Sequence, residues 1–185
     1  MNYIPTAING VYILEPRVFE DARGYFMETW RKADFDKAIG YEVNFIQDNQ
    51  SKSSLGVLRG LHYQKGDTSQ AKLVRVLQGC VVDVAVDLRR SSPTFGKYVT
   101  VELSDKNQRQ LFIPRGFAHG FQVTSETAVF AYKVDNIYSP TTEASIRFDD
   151  PTLAIEWPIQ DQNIIKLSDK DLQHSVNFEA AELFD

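Results

Sequence analysis

The chain has 185 residues, a formal net charge of −5 and a hydrophobic fraction of 43%. These values are typical of one globular domain and argue against intrinsic disorder. The acidic balance, without a cluster of lysines and arginines, excludes the electrostatic signature of a nucleic-acid-binding protein.

Short runs rich in β-branched and aromatic residues, separated by turn-forming residues, recur along the chain and predict strands. Helices are indicated only at 31–39, which Gly40 follows as a C-cap, and at 168–173. Neither is long enough for the crossovers of a parallel sheet, so the pattern predicts an antiparallel all-β sandwich or barrel. In chain order the predicted strands are 11–14, 25–29, 57–63, 73–77, 81–88, 98–103, 110–113, 117–123 and 127–134.

Residues 1–185 show no internal repeat and no linker-like shift in composition, so we expect a single domain. The more polar segment after Pro158 is expected to pack on the barrel.

No apolar run approaches the roughly 20 residues that cross a bilayer, and residues 1–16 lack the features of a signal peptide. We therefore expect no membrane contact and a cytoplasmic location. Cys80, followed by two valines, is expected to be a small buried side chain.

Two of the three histidines lie in apolar segments that contain glycine. His62 is in the segment 56–64 and His119 is in the segment 113–121, each near an arginine. Histidine changes protonation near neutral pH, so both are candidates for acid–base chemistry. A hydrogen-bonded structural role is the alternative for each residue at this stage.

A metal or nucleotide cofactor is not expected. Small β-barrels that hold a metal often use a His-x-His pair, and Gln64 stands where the second histidine would be. No cysteine or glutamate lies at ligand spacing beside His62 or His119, and the sequence has no glycine-rich nucleotide loop.

Polar residues on predicted strands supply further candidates. Strand alternation places Gln47 and Asn49 on one face and Asp48 on the other, so the two amides either line a cavity or form a solvated edge. Lys72 directly precedes the predicted strand 73–77, so its side chain lies either at a barrel mouth or on an exposed strand end. Tyr132 lies within a predicted strand, and a buried phenol there is either a core residue or a proton donor.

Four segments together are too specific to be generic: Asp48-Asn49, the segments 56–64 and 72–75, and the segment 114–121. The similarity begins at 13–19 and 21–24 and continues through 155–158 to 167–171. In order and spacing, these segments resemble the dTDP-4-dehydrorhamnose 3,5-epimerase family over nearly the whole chain.

The resemblance implies a jelly-roll, cupin-like barrel with short flanking helices and no catalytic metal. It also implies a homodimer in which each site, near the subunit interface, includes residues of the partner. The implied substrate is dTDP-4-dehydro-6-deoxy-D-glucose, a dTDP-linked 4-keto-6-deoxy sugar. The implied reaction inverts C3 and C5, on either side of the C4 ketone, and yields dTDP-4-dehydro-L-rhamnose for dTDP-L-rhamnose biosynthesis. Removing a proton beside a ketone gives an enolate, so no cofactor is required.

Catalytic roles are carried over from the family residue by residue. His62 would be the general base, and Asp171 would orient its imidazole, with Asp169 as a neighbouring alternative. Lys72 would stabilise the enolate oxygen. Tyr132 would deliver a proton from the other face of the sugar.

Binding roles are carried over in the same way. Arg23 and Arg59 would hold the diphosphate or the nucleotide, since the planar guanidinium group fits the geometry of phosphate oxygens. The sugar pocket would be lined by Gln47, Asn49 and His119. The nucleotide would be contacted by Glu28, Glu143 and Lys170, with Tyr138 or Phe26 stacked on thymine.

Strict strand alternation places Arg59 and His62 on opposite faces, whereas the family has both in the site. A bulge or twist at Gly60 would reconcile the two. The alternative functions are a mono-epimerase acting at C3 or C5 only, an epimerase of a related 4-keto sugar nucleotide, a sugar 3,4-ketoisomerase and a non-catalytic sugar-nucleotide-binding protein.

Overall fold

The computed structural model describes residues 1–185, with thirteen strands and two short α-helices. The helices are α1 (Lys32–Ile39) and α2 (Asp169–His174), and two 3-10 turns cover Gly66–Thr68 and Phe178–Ala180. The strands are β1 (Asn2–Pro5), β2 (Tyr12–Glu15), β3 (Val18–Asp21), β4 (Gly24–Met27), β5 (Gln47–Ser54), β6 (Leu58–Gln64), β7 (Lys72–Gln78), β8 (Cys80–Asp87), β9 (Tyr98–Ser104), β10 (Gln110–Ile113), β11 (Phe117–Val123), β12 (Thr127–Val134) and β13 (Glu143–Ser145).

Two antiparallel sheets face each other around an apolar core. The order is β1-β2-β10-β7-β12-β5 in the six-stranded sheet and β13-β6-β11-β8-β9 in the five-stranded sheet. Phe121 on β11 and Phe130 on β12 stack across the core with their ring centroids 4.1 Å apart. This arrangement is a jelly-roll barrel, so the predicted fold class is confirmed.

The β3–β4 hairpin, residues 18–27, is a separate two-stranded sheet that pairs with neither main sheet. Its aromatic side chains are exposed: Phe19 by 51%, Tyr25 by 59% and Phe26 by 70%. An isolated hairpin is only marginally stable in water, and exposed aromatic groups on it are typical of a contact surface.

Helix α1 packs on the outside of the six-stranded sheet through Phe35, which contacts Phe112 edge to face at a centroid distance of 5.0 Å. The predicted C-cap is confirmed, because Gly40 has φ of +87° and its N–H donates to the carbonyl of Asp36 at 2.9 Å. Helix α2 begins after Ser168, whose hydroxyl accepts the N–H of Asp171.

The segment after Pro158 packs on the five-stranded sheet, as expected, through residues such as Ile165, Leu167 and Phe178. The prediction for Cys80 was wrong, because the residue is partly exposed at the first position of β8. The short strands β1, β3 and β13 were not predicted, since runs of three or four residues carry little periodicity. No helix is long and apolar enough to span a bilayer.

Candidate active site

A bulge in β6 brings two candidate residues to one side of the strand. His62 pairs with His119 and Arg59 pairs with Phe121, so two residues lie between these pairs on β6 and one on β11. The bulge contains Gly60, which has φ of +129° and approaches β11 so closely that a Cβ would lie 2.5 Å from its backbone. The predicted bulge is confirmed, and Arg59 and His62 line the same cavities.

The first cavity, of about 180 Å³, lies between the two sheets. His62 reaches it from the five-stranded sheet, whereas Lys72 and Tyr132 reach it from the six-stranded sheet. The alternative of an exposed strand-end position for Lys72 is therefore excluded. The full lining is Gln50, Ser51, Arg59, His62, Lys72, His119, Phe121, Phe130 and Tyr132.

His62 forms a short hydrogen bond to Asp171. Its Nε2 lies 2.5 Å from Oδ1 of Asp171, while the hydroxyl of Ser168 donates to Oδ2 at 2.7 Å. Burial alone raises the pKa of Asp171, but the hydrogen bonds of His62 and Ser168 outweigh it and hold that pKa below its usual value. No protein group bonds to Nδ1 of His62. Asp169, the alternative partner, is exposed.

A second histidine–carboxylate pair lies beside the first. Nε2 of His119 is 2.9 Å and 3.1 Å from the carboxylate oxygens of Asp83, a fully buried residue on β8. Burial lowers the pKa of His119 and raises that of Asp83, although each residue's charge opposes the shift of the other. Asp83 was not predicted as a site residue, although a single carboxylate within the apolar run 81–86 indicated a buried polar group that needs a partner.

Burial also shifts the pKa of Lys72 and of Tyr132, the two candidates on the six-stranded sheet. It lowers the pKa of Lys72 to about 8, against the opposing charges of Asp83 and Glu143. It raises the pKa of Tyr132, against the opposing charge of Arg59. At neutral pH, Lys72 therefore carries a proton that it can release near pH 8, and Tyr132 keeps its phenolic O–H.

The second cavity, of about 340 Å³, adjoins the first, because Arg59 and His62 line both. At its rim, Glu143 accepts hydrogen bonds from the Tyr138 hydroxyl at 2.5 Å and from the Lys170 ammonium. Burial raises the pKa of Glu143, but these two bonds outweigh it and lower the pKa below its usual value. The remaining lining residues are Val57, Leu58, Lys166, Leu167, Ser168 and Asp171.

Gln47 and Asn49 share one face of β5, as predicted, and the Gln47 amide donates to the Asn49 side-chain oxygen at 2.8 Å. Asn49 is the cross-strand partner of Tyr132. Asp48, on the other face, pairs with Lys133 at 2.9 Å. The two amides therefore lie at the edge of the six-stranded sheet, next to Tyr132.

Gln47 and Asn49 line neither cavity, and three further predicted binding residues lie on or just after the β3–β4 hairpin, away from both cavities of their own protomer. Arg23 is 89% exposed at the hairpin turn, where it pairs with Asp21 at 2.6 Å. Phe26 lies on the same hairpin, and Glu28 pairs with Arg31 at 2.6 Å. None of these residues lines either cavity.

Gln64, at the position of a second metal-binding histidine, has a structural role. Its side-chain oxygen accepts the N–H of Ser139 at 2.9 Å and the hydroxyl of Thr142 at 3.1 Å. No group of three or more His, Cys, Asp and Glu side chains is arranged to hold a metal ion.

Comparison with known families decides the assignment. Residues 5–178 match the family model described as dTDP-4-dehydrorhamnose 3,5-epimerase. The chain belongs to this family. The resemblance of the motifs 48–49, 56–64, 72–75 and 114–121 is therefore confirmed.

Individual members of the epimerase family are similar to this chain over nearly their whole length. The dTDP-4-dehydrorhamnose 3,5-epimerase of Shigella flexneri is 55% identical over 93% of both chains. The crystal structure of the enzyme from Elizabethkingia anophelis has a TM-score of 0.93 and 50% identity, covering 98% of this chain and 99% of that one. A dTDP-6-deoxy-D-glucose-3,5-epimerase from Legionella pneumophila was solved in complex with dTDP-4-keto-L-rhamnose. This structure has a TM-score of 0.92 and 48% identity, covering 98% of this chain and 94% of that one.

Proposed function

We propose that this chain epimerises dTDP-4-dehydro-6-deoxy-D-glucose at C3 and C5 to give dTDP-4-dehydro-L-rhamnose. One observation carries the proposal: His62 and Tyr132 reach the same cavity from opposite sheets. Inversion at carbon requires a proton to leave one face and another to arrive on the opposite face. The product named in the Legionella pneumophila complex has the same 4-keto sugar chemistry.

In the first step, His62 removes the proton from the carbon next to the C4 ketone. Nδ1 has no protein partner and is free to accept it, while Asp171 stabilises the imidazolium that forms. The electron pair of the broken C–H bond moves into the ring and onto the C4 oxygen, giving an enolate. The short bond to Asp171 also fixes the orientation of the imidazole ring.

Lys72 stabilises the enolate oxygen. Its ammonium lies in a cavity from which much of the water is excluded, where a positive charge acts more strongly on a developing anion than in bulk water. His119, held by Asp83, is a neutral hydrogen-bonding group on the opposite sheet. The two residues thus contribute a cation and a dipole to the same pocket.

Tyr132 completes the inversion by donating its phenolic proton to the carbanion carbon from the face opposite His62. The raised pKa keeps the phenol protonated until a strong carbon base is present. After each inversion, Tyr132 takes up a proton from solvent and His62 releases one, so both residues return to their starting protonation states. The same pair serves C3 and C5, because both carbons adjoin one ketone.

The second cavity receives the nucleotide diphosphate in this proposal. Arg59 lines both cavities, and its guanidinium is positioned by two hydrogen bonds to the Ser53 hydroxyl, at 3.1 and 3.2 Å. The cluster of Tyr138, Glu143 and Lys170 at the rim is suited to contact the thymidine. Gln47 and Asn49 contact the sugar from the sheet edge.

The decisive experiment for this function is proton NMR in deuterated water with dTDP-4-dehydro-6-deoxy-D-glucose and the purified protein. Deuterium at both C3 and C5, with a rhamnose product in a coupled reductase assay, supports the 3,5-epimerase. Label at one carbon identifies a mono-epimerase, and the absence of label with tight dTDP binding identifies a binding protein.

We also propose that the active unit is a homodimer in which the β3–β4 hairpin reaches the partner's site. The hairpin exposes Phe19 and Phe26 and pairs with no other strand in its own protomer. Arg23, at its turn, lies outside the cavities of its own chain. Donation to the partner would bury the aromatic surface and place Arg23 near the second diphosphate.

Mixing two inactive variants tests this arrangement. His62→Asn and Arg23→Gln, combined by unfolding and refolding together, should restore about a quarter of the wild-type sites, because half of the random dimers have one intact composite site. No recovery would show that Arg23 acts in its own protomer. Sedimentation should give the mass of two chains.

Residues 1–185 are proposed to unfold as one domain, since the segment after Pro158 shares a core cluster with the five-stranded sheet. A single transition in calorimetry would support this, and two separate transitions would contradict it. The cytoplasmic location stays a prediction, which cell fractionation would test.

A further inference from the structure

Lys166 is a cation at the second cavity that the catalytic proposal does not use. It lies between Ile165 and Leu167, which pack into the core cluster, so strand-like alternation directs its own side chain away from that core. The ammonium donates to the Ser54 hydroxyl at 3.1 Å and lines the cavity with Arg59 and Lys170.

The backbone of Lys166 is held firmly against the start of β6. Its N–H donates to the carbonyl of Gly56 and its carbonyl accepts the N–H of Leu58, both at 3.0 Å. Gly56 permits this contact, because a Cβ there would lie 2.1 Å from the carbonyl oxygen of Ile164. The lysine is thus anchored beside Val57, its bridge partner, and close to Arg59 along β6.

The charges at the second cavity are not equivalent. The ammonium of Lys170 is already paired with the Glu143 carboxylate. By contrast, Arg59 and Lys166 are bonded to the hydroxyls of Ser53 and Ser54, and neither forms an ion pair. A lysine ammonium has three donors, so two remain available for a ligand.

We propose that Lys166 binds the diphosphate of the nucleotide sugar and, with Arg59, neutralises it within one protomer. A diphosphate diester carries two negative charges, and the protein as a whole is acidic, with a formal net charge of −5. Local cations without carboxylate partners are therefore needed to hold it. The proposal rests on the proposed function, because it takes a dTDP-sugar as the ligand.

The test is calorimetric titration of dTDP and of thymidine into the wild type, Lys166→Gln and Lys166→Arg. For the Gln variant, the Kd for dTDP should rise about three- to tenfold, whereas thymidine binding should stay within about twofold. The Arg variant should retain the dTDP affinity. The loss in the Gln variant should shrink as salt rises, because exposed charges are screened.

Lys106→Gln is the matched control, since Lys106 is an exposed lysine after β9, at the sheet edge opposite β13. It should bind dTDP as the wild type does, and both variants should unfold at the wild-type temperature. Unchanged dTDP affinity in Lys166→Gln would overturn the role of Lys166 while leaving the epimerase proposal intact. Failure of the wild type to bind dTDP and exchange deuterium would instead overturn both.

Discussion

His62 and Asp171 are separated by 109 positions in the sequence, yet Nε2 of the imidazole lies 2.5 Å from Oδ1 of the carboxylate. Strand β6 supplies the histidine and the short helix α2 supplies the aspartate. The other carboxylate oxygen is bonded to Ser168, so the aspartate cannot rotate freely. This contact joins the C-terminal segment to the barrel at the proposed site of proton abstraction.

Asp171→Asn should lower the rate of deuterium incorporation by roughly 10²- to 10⁴-fold, because the imidazolium loses its counter-charge. The Kd for dTDP should change little. Asp169→Asn is the matched control, since Asp169 lies on the same helix but is exposed and unpaired with His62. Equal losses in the two variants, measured by NMR exchange, would remove the special role of Asp171.

Tyr132→Phe should separate proton exchange from inversion. His62 remains able to remove the proton, so deuterium should still enter the substrate, but it would return from the same face and leave the configuration unchanged. Product formation should fall by at least about 10²-fold. A parallel fall of exchange and inversion would mean that Tyr132 acts before deprotonation.

The activity should have an alkaline limit near pH 8 if the Lys72 ammonium stabilises the enolate. Lys72 is charged below its pKa, so the rate should fall as the pH rises through that value. The charged groups that act on Lys72 are the carboxylates of Asp83 and Glu143. Asp83→Asn removes a favourable charge and should move the limit to lower pH, whereas a limit unchanged in that variant would contradict the assignment.

Lys72→Met should abolish turnover without destabilising the fold. Burial lowers the lysine pKa below its unfolded value, so at neutral pH the charge reduces the free energy of unfolding. Removing that charge should leave the thermal midpoint at pH 7 equal or higher. A lower midpoint would show that Lys72 forms stabilising contacts.

Gly60→Ala should reduce the free energy of unfolding by about 2 kcal/mol or more, since the new Cβ would lie 2.5 Å from β11 backbone atoms. Gly24→Ala is the control: Gly24 has nearly the same φ, +127° against +129°, but a Cβ added there would meet no atom within 4 Å. Denaturant titration of both variants isolates the close contact from the backbone strain. Equal losses of unfolding free energy in the two variants would show that backbone strain alone explains the need for glycine at position 60.

Much of the fold was open to prediction because strands and turns carry local signals. The predicted runs 110–113, 117–123 and 127–134 agree with the observed strands at both ends. The bulge at Gly60 was also predictable, since two site residues on opposite faces of a strand require an irregularity between them. The polar strand β5 was recognised only through its amides, because it lacks the apolar alternation of its neighbours.

Local sequence patterns and motifs were enough to predict the all-β architecture, the family resemblance and His62, Lys72 and Tyr132 as candidate site residues. The folded chain was needed to show that Asp171 rather than Asp169 bonds to His62, that Asp83 holds His119, and that the hairpin lies outside the site of its own protomer. Side-chain alternation is a local property that can be read along a strand. Distances between distant residues instead depend on strand register and on how the C-terminal segment packs, which the local pattern does not specify.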